Sequence, residues 1–158
     1  VDLSKPMLDR ARQRVGEVTE GEVTTLQGDI RELDIGEERY DIILAAAVLH
    51  HLRDEPEWLH VFNKLYDALT PGGSLWVFDL VEHDNPAVQE LMWKRYGEYL
   101  VDFKDEEFRK FVYGYIIKED TPRSLLFQVD IMRKVGFTAP IVLHKNICYA
   151  AFGAIKPR

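Results

Sequence analysis

The sequence has a single cysteine, no long hydrophobic run and no excess of basic residues. With only Cys148, the chain can form neither an internal disulfide nor a cysteine-based zinc site. Its longest apolar run, residues 42–49, has eight residues. A transmembrane helix needs about 20. The segment that begins at Val1 has neither the basic nor the apolar region of a secretory signal. Together these features favour a cytoplasmic protein that does not engage a membrane.

Positive charge is in deficit, because 20 Lys and Arg residues stand against 27 Asp and Glu residues, a net charge of −7. Tight, general binding of nucleic acid needs clustered positive charge at the phosphates. The composition therefore argues against such binding, although it allows a local basic patch. The length of 158 residues, with 46% apolar and 30% charged residues, fits one globular domain over residues 1–158.

Helical and strand patterns alternate along the chain, which is typical of the α/β class. We predict helices at about residues 5–16, 54–69, 86–100, 105–118 and 121–135, and strands at 22–27, 40–46, 74–81, 140–144 and 147–155. The strand from Tyr40 is nearly all apolar, which predicts burial on both faces. Residues 71–73 predict a turn. Lys145 and Asn146 are expected to join the last two strands in an antiparallel hairpin.

The region between about residues 84 and 120 differs in character, because its two predicted helices have no strand between them. Eight of the 18 aromatic residues lie between Trp93 and Tyr115. This concentration predicts a helical lid insert whose aromatic residues form either an acceptor pocket or a packing core or dimer interface. Basic residues interleave with aromatic ones around Trp93, Tyr96 and Arg109. This pattern fits the binding of a nucleotide or carboxylate, or solvated helix faces.

Two carboxylates are expected at the carboxyl ends of neighbouring strands, where open α/β sheets bind ligands. Asp2 could accept hydrogen bonds from ribose hydroxyls. Asp29 could accept one from an adenine amino group, with the Ile30 backbone N–H serving a ring nitrogen. Taken singly, each acid is as typical of a helix start or a turn. Ala45 and Ala46 end a strand with small side chains, which allow either a cofactor or a packed helix to approach closely.

The two histidines are adjacent, so on a helix their side chains point about 100° apart. We therefore predict no metal site at His50 and His51. His50 is a candidate base or substrate contact at the active site. The alternative is that one histidine packs or caps while the other faces solvent.

Four motifs in order carry a resemblance to a known family. They are Asp-Leu-Ser-x-x-Met-Leu at 2–8, Gly-Asp-Ile at 28–30, Tyr-Asp-Ile-Ile and Leu-His-His-Leu within 40–52, and Leu-Thr-Pro-Gly-Gly-x-Leu at 69–75. In this combination the chain resembles the class I S-adenosylmethionine-dependent methyltransferases. The resemblance implies a Rossmann-like, mostly parallel sheet that ends in an antiparallel hairpin.

The resemblance also implies that S-adenosylmethionine is the cofactor and assigns a role to each matching residue. Asp2 would bind the ribose hydroxyls and Asp29 the adenine amino group, with His50 toward the reaction centre. The other cofactor contacts would come from Leu3, Met7 and Ile30 at the adenine and from Ala45 and Ala46 at the methionine end, with Leu49 following them toward the reaction centre. The expected reaction is in-line methyl transfer to an O, N or C nucleophile of a small molecule or nucleoside.

The chain departs from the family pattern in having no Gly-rich loop, and the first strand that precedes this loop is absent. We therefore expect the chain to be a C-terminal portion of a longer methyltransferase domain.

Three alternatives to methyl transfer stay open. A homodimer formed through the lid is also compatible with the sequence. The region after Leu80 is similar to the carboxy-S-adenosylmethionine synthases of tRNA uridine modification, in which Arg109 would bind the carboxylate. A non-catalytic binding subunit with the same fold and a nicotinamide oxidoreductase are the other two.

Overall fold

The computed structural model describes residues 1–158, which form five α-helices, one short 3-10 helix and four strands. Contacts divide the chain into two compact units, Val1–Ile35 and Gly36–Arg158.

The first unit is built around helix α1, Lys5–Gly16, which Ser4 precedes as the N-cap residue. The predicted strand over residues 22–27 is wrong, because only an isolated parallel bridge forms, between Asp2 and Gln27. The physical reason is the shortness of the partner segment, which becomes helical at Lys5 and so offers few backbone groups for a ladder.

The second unit contains the sheet and most of the helices. Its elements are β1 Tyr40–Ala46, the 3-10 helix Leu49–His51, α2 Glu55–Ala68, β2 Leu69–Leu80, α3 Pro86–Phe103, α4 Glu106–Glu119, α5 Leu125–Val135, β3 Thr138–Asn146 and β4 Tyr149–Ile155. The strand order is β1-β2-β4-β3. The pair β1–β2 is parallel, whereas β2–β4 and β3–β4 are antiparallel. The α/β class and the terminal hairpin are confirmed, but the four strands are not mostly parallel, because the hairpin supplies two of them.

Strand β1 is not buried on both faces, contrary to the prediction. Ile42 and Leu44 are 62% and 75% exposed, whereas Ala45 is buried. The reason is topological, because β1 lies at the edge of this sheet and pairs with β2 alone. An apolar run therefore predicts a strand more reliably than it predicts the neighbours that would cover it.

The predicted turn at residues 71–73 lies inside strand β2 as an irregularity in its pairing. Tyr40 pairs with Leu69, and Ile42 then pairs with Ser74. The extra residues of β2 are accommodated by Gly72, whose φ of +85° is a left-handed conformation that glycine adopts without strain.

Helix α5 begins later than predicted. Ser124, not Thr121, is its N-cap residue, and the Ser124 hydroxyl accepts a hydrogen bond from the Phe127 N–H at 3.3 Å. Pro122 therefore lies before the helix instead of in its first turn. The helix ends at the predicted residue 135, and Gly136 follows it as the C-cap residue with φ +110°.

The hairpin turn consists of Ile147 and Cys148, not Lys145 and Asn146. Cys148 fixes this position, because its side chain is fully buried and its carbonyl accepts the Val81 N–H at 2.7 Å. Burial raises the pKa of the Cys148 thiol to about 11.

The helices cover the sheet with two groups of apolar side chains. Trp58 and Phe62 of α2 are fully buried, and Trp58 makes an edge contact with Phe127 of α5. A second cluster joins α3 and α4 to the end of β2 and the hairpin turn, through the buried residues Leu80, Tyr96, Leu100, Ile116 and Cys148. No helix combines the length and apolar character needed to cross a bilayer. The cytoplasmic location stays a prediction.

Close packing at the centre of the sheet gives a stability prediction. Gly153 of β4 pairs with Trp76 of β2, and a Cβ atom at Gly153 would overlap the Trp76 ring and the Leu75 carbonyl oxygen. We expect Gly153→Ala to lower the free energy of unfolding by about 1–3 kcal/mol in urea denaturation.

Gly114→Ala is the matched control, because a Cβ atom there meets nothing within 4 Å. In the interior of α4 this change should stabilise the protein by up to about 1 kcal/mol. Equal effects of the two substitutions would contradict the packing at Gly153.

Candidate functional site

Asp2 and Asp29 lie at the carboxyl ends of two parallel segments of the first unit. The Asp2 N–H donates to the Leu26 carbonyl at 3.2 Å, and the Gly28 N–H donates to the Asp2 carbonyl at 3.1 Å. This pairing is parallel, so both segments leave the bridge at one edge. The half-buried side chains of Asp2 and Asp29 therefore belong to the same edge of this unit.

The Asp2 carboxylate shapes the start of helix α1. Its Oδ1 accepts the Ser4 N–H at 2.7 Å, whereas Oδ2 accepts no hydrogen bond from the chain. Leu3 and Met7, predicted to flank an adenine, carry exposed apolar side chains. The unit therefore offers a carboxylate oxygen and apolar surface on neighbouring residues.

Asp29 is engaged by its neighbour Arg31. The Asp29 carboxylate accepts from the Arg31 guanidinium at 2.6 and 3.0 Å and from the Arg31 backbone N–H at 2.9 Å. A ligand amino group at Asp29 would have to share this carboxylate with Arg31. This partner was not predicted from the sequence, although the acid and the arginine are only two residues apart. Ile30 between them is half-buried.

In the second unit, three alanines that differ in burial and backbone conformation lie at the end of strand β1 and directly after it. Ala45 is buried and Ala46 is exposed. Ala47, which the sequence analysis did not single out, has φ +52° and donates its N–H to the Phe78 carbonyl at 2.8 Å. A left-handed conformation costs a residue with a Cβ atom about 1–2 kcal/mol. Such strain is concentrated at functional sites, so the end of β1 is a candidate.

His50 forms a buried pair with Asp79. The fully buried Asp79 carboxylate contacts His50 Nδ1 and accepts the backbone N–H groups of Leu49 and Leu80, each at 2.7 Å. Burial alone would lower the pKa of His50, but the hydrogen bond and negative charge of Asp79, with the charge of Asp120, raise it above 6.5. Leu49, predicted to contact the cofactor toward the reaction centre, is itself buried.

Asp79 was also missed by the sequence analysis. The available signal was a lone acid within the apolar run of strand β2, Trp-Val-Phe-Asp-Leu-Val at residues 76–81. A buried carboxylate in such a run needs partners. Two of its three partners, the Leu49 N–H and the His50 ring, lie in the segment after β1, which sequence spacing does not bring close.

Asp120 brings the two histidines into one cluster. His50 Nε2 lies 3.8 Å from Asp120 Oδ2, and His51 Nδ1 lies 3.1 Å from Asp120 Oδ1. The His50 and His51 ring centroids are 4.3 Å apart. The expectation that the rings diverge is wrong, because they lie in a 3-10 turn and both reach Asp120. Burial raises the pKa of Asp120.

The predicted substrate residues of the lid make contacts within the chain. Trp93 stacks on Tyr113 with ring centroids 4.7 Å apart, and the hydroxyl of Tyr96 lies 3.4 Å from that of Tyr149. Burial raises the pKa of Tyr96. Arg109 pairs with Glu106 on its own helix. These contacts fit the packing alternative, and the substrate-binding roles of Trp93, Tyr96 and Arg109 stay predictions.

Known proteins share sequence with this chain. A family described as a methyltransferase domain matches residues 1–73. A demethylmenaquinone methyltransferase of Lactococcus lactis is 24% identical over 143 residues, which cover 88% of this chain and 55% of that protein. The chain spans 55% and 65% of the length of two such curated relatives, so it corresponds to only part of them.

Solved structures share the fold. The apo form of the S-adenosylmethionine-dependent methyltransferase SibL superposes with a TM-score of 0.65 at 20% identity, over 100% of this chain and 43% of that one. Human N-acetylserotonin methyltransferase, solved with S-adenosylmethionine, superposes with a TM-score of 0.60 at 17% identity. The superposition covers 99% of this chain and 39% of that one. At these identities the likeness concerns the fold alone.

Removal of Asp79 tests the architecture around His50. We expect Asp79→Ala to lower the free energy of unfolding by about 3–5 kcal/mol, because it leaves His50 and two buried N–H groups without their acceptor. Urea denaturation measures the change.

Asp130→Ala is the control of matched charge, since Asp130 forms an exposed pair with Arg133 and should contribute at most about 1 kcal/mol. A loss at Asp79 no greater than the loss at Asp130 would show that the buried pair does not organise this region.

Proposed function

Because this chain has the class I S-adenosylmethionine-dependent methyltransferase fold and residues 1–73 match the methyltransferase domain, we propose that the protein methylates a small-molecule acceptor. The observation that carries the proposal is the shared edge of Asp2 and Asp29, created by the parallel bridge at Asp2 and Gln27. Carboxylates at such an edge are suited to a ribose and an adenine.

The residues of the first unit fit an adenosyl group. Asp2 Oδ2, which accepts no hydrogen bond within the chain, would accept from a ribose hydroxyl. Leu3 and Met7 would cover the faces of the adenine, which would remove their exposed apolar surface from water. Asp29 would turn one oxygen from Arg31 to the adenine amino group, with the Ile30 N–H at the ring.

The second unit carries its own candidates for the methyl-transfer step, at the end of strand β1 and in the 3-10 helix. The bound cofactor supplies a methyl group on a positively charged sulfonium, which is a strong electrophile. Alignment of donor and acceptor can then provide most of the acceleration. Ala45 and Ala46 leave room near the backbone at the methionine end. We place His50 at the acceptor end, where Asp79 fixes its ring.

A small molecule is the acceptor class that the available observations support. The curated relatives carry the name demethylmenaquinone methyltransferase, which specifies a small-molecule acceptor for those proteins. The net charge of −7 would oppose the approach of polyanionic RNA. Neither the synthase alternative nor the binding-subunit alternative has a comparable observation in its favour.

Cofactor affinity tests the role of Asp2. We expect Asp2→Ala to weaken S-adenosylmethionine binding by about 1–3 kcal/mol, because ribose hydroxyls would lose their acceptor. Isothermal titration calorimetry on the full-length protein measures the change. Asp9→Ala is the control, since Asp9 lies on the same helix and is exposed in a pair with Lys5. Equal affinities of the two variants would remove Asp2 from the site.

Transfer of a labelled methyl group tests the acceptor class. We expect the full-length protein to move label from S-adenosylmethionine to a demethylated naphthoquinol and not to bulk tRNA. Label in tRNA alone would contradict the small-molecule assignment. Mass spectrometry of the copurified ligand is the companion measurement, because a cofactor heavier by one carboxylate would favour the synthase alternative.

A further inference from the structure

We propose that His50, His51 and Asp120 form a binding site for a divalent transition-metal ion, with Zn²⁺ as the ion that fits best. The three side chains come from the 3-10 helix after β1 and from the residue that follows α4. Two imidazoles and one carboxylate are a donor set that Zn²⁺ uses in proteins.

The spacing of the donor atoms suits one small ion. One donor atom from each residue lies within 4.8 Å of the others. The nearest pairs are His51 Nδ1 with Asp120 Oδ1 at 3.1 Å and His50 Nε2 with Asp120 Oδ2 at 3.8 Å. Tetrahedral bonds of about 2.0–2.1 Å place neighbouring donors about 3.3 Å apart. Small side-chain rotations would therefore bring all three donors onto one ion.

The Asp120 carboxylate is an independent indication of a missing partner. Its side chain is only 3% exposed, and its Oδ1 accepts no hydrogen bond. His51 Nδ1 is close to this oxygen but is not aligned to donate to it. A buried carboxylate oxygen without a donor is costly. A cation between the converging lone pairs of Asp120, His50 and His51 would satisfy it.

Asp79 supplies the support that metal-bound histidines require. Its contact with His50 Nδ1 leaves Nε2 directed toward Asp120. A carboxylate on the far nitrogen fixes the tautomer and orientation of a histidine ligand and raises its basicity. The backbone adds to this support, because the Thr121 N–H donates to the His50 carbonyl at 2.7 Å and so holds the end of α4 beside the 3-10 helix.

The cluster also has a route to solvent. The His51 side chain is 46% exposed, whereas those of His50 and Asp120 are nearly covered. An ion could enter past His51. Three protein ligands leave a fourth position for water or another oxygen donor, as in catalytic zinc sites. Here we depart from the prediction of no metal site at His50 and His51, because Asp120, the third donor, is distant from the histidines along the chain.

Titration calorimetry with Zn²⁺ on untagged full-length protein tests the proposal. We expect one bound ion, and a loss of affinity greater than about tenfold in both His51→Ala and Asp120→Asn. His144→Ala is the matched control, because His144 is exposed on β3 in a different part of the unit. Its affinity should equal that of the unsubstituted protein. The ligand-field absorption of bound Co²⁺ should report fewer than six ligands and should change in His51→Ala.

Any of three results would overturn the proposal. They are no Zn²⁺ binding by the unsubstituted protein, Zn²⁺ affinity of His51→Ala equal to that of the unsubstituted protein, and a loss of Zn²⁺ affinity in His144→Ala equal to the loss in His51→Ala. His51→Ala decides the matter if Asp120→Asn fails to fold, since a half-exposed side chain can be truncated without disturbing the core. The titration uses neither S-adenosylmethionine nor an acceptor, so its outcome is independent of the proposed methyl transfer.

Discussion

Parallel pairing is the constraint on which the functional interpretation of this chain depends. Two parallel segments leave their pairing at the same edge, so whatever follows each of them meets there. In the first unit a single bridge at Asp2 and Gln27 aligns the segments that precede helix α1 and Asp29. In the second unit the β1–β2 ladder places Ala46 beside Phe78, and the 3-10 helix and Asp79 follow directly. In each unit, the candidate binding and catalytic residues therefore lie at the carboxyl ends of a parallel pair, where α/β folds bind ligands.

Asp79 shows how a buried charge can organise such an edge. It lies in strand β2, which is paired on both sides, and its carboxylate is satisfied by two backbone N–H groups and by His50. The 3-10 helix after β1 is thereby tied to the sheet. Since the ring of His50 is fixed on one nitrogen, the other is presented to Asp120. A charge in the core thus sets the geometry of groups nearer the surface, a role that an apolar residue could not perform.

Local patterns predicted most of the helices and strands, the strand at residues 22–27 excepted, but did not predict which elements lie next to each other. The helix that begins near residue 54, the helix end near residue 135 and the two helices between residues 86 and 119 follow from nearby residues and are confirmed. Whether Ile42 is buried depends on which strands flank β1, and β1 proved to be an edge strand. The cluster at Asp120 forms because a residue distant in sequence packs beside the two histidines. The same distinction applies to the candidate site residues. Asp2 and Asp29 could be predicted because they lie in short sequence motifs, whereas the roles of Asp79 and Asp120 depend on contacts with residues distant in sequence.

The contact proposed between the Asp2 carboxylate and the ribose of an adenosyl cofactor can be measured directly. A double-mutant cycle tests it most directly, by measuring the affinities of the full-length protein and of Asp2→Ala for S-adenosylmethionine and for its 2′,3′-dideoxyribose analogue. If the carboxylate and the hydroxyls contact each other, the protein loses affinity for the analogue and the substitution adds little further loss. If the loss from the substitution and the loss from the analogue add in full when combined, the carboxylate and the hydroxyls are not in contact. That result would contradict the placement of the cofactor at this edge.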